Sequence, residues 1–288
     1  MIRLVLSKLN VKEDEESKVL LMLGTGFFLG SFLASYQVVA DSLFLSRLSG
    51  ELNKAFLVAG LLGIVSTALF SWAQNHIRFS VLTSLSIILI VLFTVGIYSA
   101  YRFGPSEYQN FIVFGMYCMS GPMTAVLLLC YWGIFGRLFD FKQSKRIIGW
   151  IDTGQLVASI IAYFLIPLTA RFFGDTSNFL LMSAGSISVS ATLILVISLR
   201  FTLTRNNPSE VDSSVRTETS LKNMLKDHYV VLLSSFLVIS MTTYIFTQFA
   251  FQSLINVQYP NPGDMTNFMG YFYGAIYLLS LVMQAYIN

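Results

Sequence analysis

Apolar residues in this chain fall in eight long runs, roughly 19–42, 55–75, 79–101, 109–136, 147–173, 178–199, 229–258 and 265–287, separated by polar stretches. A helix needs about 20 apolar residues to cross the hydrocarbon of a bilayer, and each run reaches about that length. Polar and apolar residues do not alternate within the runs, as they would in the strands of a transmembrane barrel. The pattern therefore predicts an all-α fold, a polytopic membrane helical bundle with eight spans.

The polar stretches give the organisation. Residues 1–18 place Ile2, Val5, Leu6 and Leu9 at helical spacing among Lys8, Lys12 and the acidic run Glu13-Asp14-Glu15-Glu16. This predicts a short amphipathic helix on the cytoplasmic membrane surface, with a docking element for a partner as the other reading. It lacks the short apolar core and small-residue end of a cleavable signal peptide. Residues 201–228 are polar and carry Asn206-Asn207-Pro208 and Ser213-Ser214, so they read as a cytoplasmic linker between a six-helix bundle, 19–200, and two further helices, 229–288.

Composition agrees, since 11% charged residues is far below the roughly 25% of a soluble domain. The net charge of +3 is no nucleic-acid footprint, and the basic residues matter by position instead. Segments 1–18, 76–78, 137–146 and 200–228 hold 14 of the 18 Lys and Arg, whereas the opposite loops hold only Arg47, Lys54, Arg102 and Arg171. Basic residues are retained in the cytoplasm, so the N-terminus is expected inside.

Little in the chain suggests catalysis or a cofactor. Cys118 and Cys130 sit about 18 Å apart along one predicted helix and cannot bridge, and His76 and His228 lie at loop edges with no partner ligands for a metal. Gly24-Thr25-Gly26 and Gly30 have the wrong spacing for a phosphate loop and no preceding strand. Gly26, Gly30 and Ala34 instead fall four apart, the pattern of close helix packing.

Longer stretches carry a family likeness. FFLGSFLASYQVVADSLFLSRLSGELNKAFLVAGLLGIVSTALFS at 27–71, with Asp41-Ser42-Leu43-Phe44-Leu45 inside it, resembles the first two helices of the ATP/ADP-carrier-like bacterial branch of the major facilitator superfamily. YWGIFGRLFDFKQSKRIIGWIDTGQLVAS at 131–159 is similar to that branch's connection between helices four and five. YIFTQFAFQSLINVQYPNPGDMTNFMGYFYGAIYLLSLVMQ at 244–284 resembles its helices seven and eight. The resemblance implies a transporter of twelve spans in two halves that rock about a central cavity, located in a bacterial inner membrane. Eight spans are then part of a longer protein, or the chain is a reduced family member. Relatives also carry soluble helical-repeat or cyclic-nucleotide-binding modules, which makes such a cytoplasmic module an implied partner.

Polar groups within the spans are the candidate site, because ionisable and amide groups in a membrane are costly and usually face a cavity or a partner. Asp41 is expected near the outer surface, either paired with Arg47 or Lys54 or serving an outer gate. Asp152, beside the basic cluster of Arg137, Lys142, Lys145 and Arg146, is expected to close an inner gate with Arg137 or Arg146, unless those basic residues are only membrane anchors. Gln37 in span one, Ser120 and Thr124 around Pro122 in span four, and Thr243, Tyr244, Gln248 and Gln252 in span seven are expected to line a substrate cavity, with interhelical hydrogen bonding as the bland alternative. Two functions fit: a secondary transporter of a small polar solute or metabolite, or a non-transporting membrane anchor or sensor subunit for a cytoplasmic module. Nucleotide exchange fits poorly, because no Lys or Arg lies mid-span to meet phosphate charge.

Overall fold

A computed structural model describes residues 15–201, 203 and 226–287. The amphipathic segment at the N-terminus, apart from its last residues, and most of the 201–228 linker lie outside the described residues.

Among the described residues the regular structure is helical: α1 Glu16–Leu48, α2 Leu52–His76, α3 Phe79–Phe103, α4 Gln109–Leu138, α5 Phe141–Phe173, α6 Phe179–Arg200, α7 His228–Gln258 and α8 Pro262–Ile287. Their length and apolar character mark a membrane-embedded helical protein. Six both begin and end within about three residues of the apolar runs. The exceptions are the end of α1 and the start of α5, each about six residues longer than its run. At α5 the cause is a capping box: Asp140 accepts from the backbone of Gln143, and the Gln143 side chain accepts from the Asp140 N–H at 3.0 Å. The polar turn FKQSKR is thereby held helical although no bilayer favours it.

Residues Glu16–His76 form one helical stretch of 61 residues, which at 1.5 Å per residue would span about three bilayers if straight. It folds back at a 3-10 turn, Ser49–Glu51. Phe44 of α1 and Phe56 of α2 both meet Tyr117 of α4, at 4.1 and 6.3 Å between ring centroids.

The chain forms two compact units, one containing α1–α6 and α8 and the other containing α7. In the larger unit successive neighbours run antiparallel, as the end contacts show. At one end Glu15 pairs with Arg146, Lys18 Nζ donates to the Leu138 carbonyl and Arg137 lies over the Phe79 ring. At the other, Arg47 donates to Gln109 at 2.8 Å, Arg102 approaches Asp175 at 4.0 Å and Thr176 meets Thr266 at 3.2 Å. Lys18, Arg78, Arg137, Lys142, Lys145, Arg146 and Arg200 belong to the Glu15 end, against Arg47, Lys54, Arg102 and Arg171 at the other.

α1 is the hub, packed against α4, α5, α6 and α8, while α2 and α3 lie outside it and expose Leu57, Leu61, Ile64, Trp72 and Leu92. An apolar rim around a packed centre suits a lipid solvent. The predicted small-residue stripe of α1 lets neighbouring helices approach closely. A Cβ on Gly30 would stand 2.5 Å from the Gln155 carbonyl of α5, and one on Gly26 would strike the Tyr131 hydroxyl of α4.

Candidate functional site

Three helices of the larger unit turn polar stripes toward one another. On α1 the stripe is Gln37 and Asp41; on α5 it is Asp152, Gln155, Ser159 and Tyr163; on α8 it is Tyr273, Tyr277 and Gln284. Each follows the three-to-four-residue repeat of a single helix face. Close approach is secured by glycine, since a Cβ on Gly270 of α8 would stand 2.9 Å from the Tyr163 carbonyl and 2.7 Å from Pro167 Cδ.

Where the stripes meet is a cavity of about 120 Å³, lined by Leu33 and Ala34 of α1, by Asp152, Gln155, Leu156, Ser159 and Tyr163 of α5, and by Tyr277 of α8. Tyr163 is its hub. Its hydroxyl donates to Gln37 Oε1 at 3.2 Å, and its ring packs against Tyr277 and Tyr273 at 5.0 and 5.6 Å. The Tyr273 hydroxyl in turn donates to Asp41 Oδ2 at 3.4 Å. Ser159 donates across to the Gly30 carbonyl, and Ser42 to Met269 Sδ at 3.5 Å. At the far end of the stripe Gln284 of α8 donates to Asp152 Oδ2 at 3.1 Å.

Several sequence expectations find their places here. Gln37 reaches the cavity's hub. Asp41 is buried, 3% exposed, and lies seven residues, or roughly 10 Å, inside the end of α1. Its neighbour there is Tyr273, while Arg47 bonds Gln109 and Lys54 pairs with Glu51. Asp152 makes no ion pair with Arg137 or Arg146 in this conformation. It accepts from Gln284, Arg146 is engaged by Glu15, and Arg137 lies 3.5 Å over the Phe79 ring and donates to the Gly133 carbonyl.

Ser120 and Thr124 of α4 are not among the residues that line this cavity. Ser120 and Thr124 donate to Tyr117 and Ser120 carbonyls of their own helix, beside Pro122, so their hydroxyls serve α4. On α7, Thr243 donates to the Ile239 carbonyl and Gln248 to the Tyr244 hydroxyl at 3.1 Å, with Gln252 one turn further along the same side. That helix belongs to the other unit.

Tyr163, Tyr273, Tyr277, Gln155, Ser159 and Gln284 escaped the sequence reading. The signal was present in the polar positions 152, 155, 159 and 163, which repeat at helical spacing inside an apolar run. Chemically, the arrangement offers hydroxyl and amide donors and acceptors plus the Asp152 carboxylate, and among the described residues no lysine or arginine lines it. It can hold a polar solute by hydrogen bonds and ring contact. Among the described residues no three His, Cys, Asp or Glu side chains gather as a metal site.

Compared with known proteins, the chain matches no protein-family model, no curated protein and no solved structure.

Proposed function

We propose that this chain is the membrane part of a secondary transporter that moves a small neutral or cationic polar solute by alternating access, with the Glu15 end facing the cytoplasm of a bacterial inner membrane. The observation that carries this is the polar face that α5 turns to one cavity inside otherwise apolar helices, joined there by Tyr277 of α8 and tied to Gln37 of α1 through Tyr163. Polar groups placed at such depth are costly unless they serve a pathway or a partner. A major-facilitator-like reading is supported by the hub position of α1 and by the packing of α8 across α5, since rocking of two halves would open and close that seam. The excess of basic residues at the Glu15 end supports the orientation.

The charge of the cavity supports the substrate class. Asp152 is its acid and, among the described residues, no base lines it, so an anion entering would meet repulsion without a counter-charge. Serine, glutamine and tyrosine suit hydroxyls, amides and ammonium groups, the last also through ring faces.

A competing reading, a membrane anchor for a cytoplasmic module, draws on cavity size. About 120 Å³ is below the roughly 300–1,000 Å³ of most ligand pockets, which fits either an occluded state or a site that never opens. Thermal unfolding of the detergent-purified full chain with a panel of neutral, cationic and anionic solutes separates the two. A solute at a hundred times its Kd adds about 2.7 kcal/mol, so a stabilising neutral or cationic compound whose effect disappears in Tyr163→Phe supports transport. Absence of any response, together with no solute uptake into proteoliposomes, favours the anchor.

A further inference from the structure

A larger cavity, of about 480 Å³, opens at the Glu15 end between the start of α5 and the end of α8. Lys145, Arg146, Trp150 and Thr153 line it from α5, and Leu281 and Gln284 from α8. Its chemistry is graded along the helix. Lys145 and Arg146 stand toward the end of the bundle; Trp150 and Ile148, 47% and 46% exposed, continue the wall toward the apolar middle. Tryptophan at the base of a basic rim belongs at a membrane interface.

Two details suggest an occupant with an anionic head. Glu15 engages one side of the Arg146 guanidinium, yet Arg146 Nε is buried without a hydrogen-bond partner. The Arg146 side chain is still 27% exposed, so an oxyanion in the cavity can reach it beside Lys145. Glu15 and Asp152 do not line it: Glu15 is turned to Arg146 and Asp152 accepts from Gln284. Gly149 adds room, since a Cβ there would meet nothing within 4 Å.

We propose that this cavity binds an anionic phospholipid, with its phosphate against Lys145 and Arg146 and its acyl chains along Ile148, Trp150 and Leu281. A basic pocket between membrane helices on the cytoplasmic side has the right chemistry for such a headgroup, and 480 Å³ is within the ordinary range of ligand sites. The apolar wall below the cations selects a lipid over a soluble phosphate ester. This site is separate from the solute cavity and stands whether or not the chain transports.

The test is native mass spectrometry of the detergent-purified full chain mixed with phosphatidylglycerol, phosphatidylcholine or glycerol phosphate at equal concentrations. Phosphatidylglycerol should be retained at least tenfold over phosphatidylcholine. Lys145→Gln, which leaves the Arg146–Glu15 pair in place, should weaken that retention about fivefold, the effect of about 1 kcal/mol per basic residue at an anionic surface. Gly149→Leu fills the open space without touching a charge and should weaken it at least as much, which keeps the test readable if the lysine variant unfolds. Equal retention of the two lipids, or unchanged phosphatidylglycerol retention in a folded Gly149→Leu variant, overturns the proposal. Glycerol phosphate retained without lipid discrimination assigns the cavity to a soluble phosphate and overturns it as well.

Discussion

Tyr163 joins helices α1, α5 and α8 through one hydroxyl and one ring. Interhelical hydrogen bonds in membranes are worth about 0.6 kcal/mol on average, so Tyr163→Phe should barely lower the unfolding midpoint in detergent. Loss of solute response with an almost unchanged midpoint is the expected split; a large drop in midpoint would make the residue structural. Gly30 should behave in the opposite way. A valine there drives its side chain into the Gln155 carbonyl and Ser159 Oγ, at 2.5 and 2.9 Å, and overpacking of this kind costs about 1–3 kcal/mol. Thermal unfolding of Gly30→Val should show that loss, and an unchanged midpoint would mean that α1 and α5 can move apart. At this scale the sequence was half legible. Gln37, Asp41 and Asp152 stood out because amides and carboxylates are rare in apolar runs. The tyrosines did not, because a phenol counts as apolar in a hydropathy pattern and reveals its polar end only when a partner helix brings an acceptor.

At the scale of elements, the apolar runs located every helix in the described structure, because the length of hydrocarbon a helix must cross is written directly in its composition. They missed the overhangs of α1 and α5, where helix continues past the apolar part: α5 has 33 residues, roughly 50 Å, against about 30 Å of hydrocarbon. Which helices touch was not legible at all, since periodicity marks a face without naming what it meets. The end contacts lead to a topology test. With Cys118 and Cys130 replaced, single cysteines at exposed Lys142 and Glu107 should react with an impermeant thiol reagent from opposite sides of the membrane, Lys142→Cys only from the cytoplasm. Labelling of both from one side would contradict the antiparallel order, and labelling of Lys142→Cys from outside would reverse the orientation.

Across the whole molecule, several of the described cations at helix ends are already engaged. Arg146 is taken by Glu15, Arg137 by Phe79 and Gly133, Arg47 by Gln109 and Arg102 by Asp175. ATP and ADP would bring several negative charges to a cavity whose ionisable group is an acid, and unpaired charge in a low dielectric costs many kcal/mol. Proteoliposomes containing the protein should therefore show no saturable uptake of radiolabelled ATP. Exchange that survives Arg137→Gln and Arg146→Gln would refute this charge argument.

The hub position of α1 also sets an order of events during synthesis. The helices that surround it, α4, α5, α6 and α8, leave the ribosome roughly 60 to 240 residues later. Until then Ser35, Gln37, Asp41 and Ser42 have no final neighbours, and a helix carrying such groups is poorly suited to lie alone among lipid tails. The nascent chain must therefore keep its first helix sheltered, beside α2 across the Ser49–Glu51 turn or within the insertion machinery, until α5 arrives and Arg146 can clasp Glu15. Asp41→Leu should make that wait easier and the finished protein less stable, a trade visible as faster membrane integration of truncated chains.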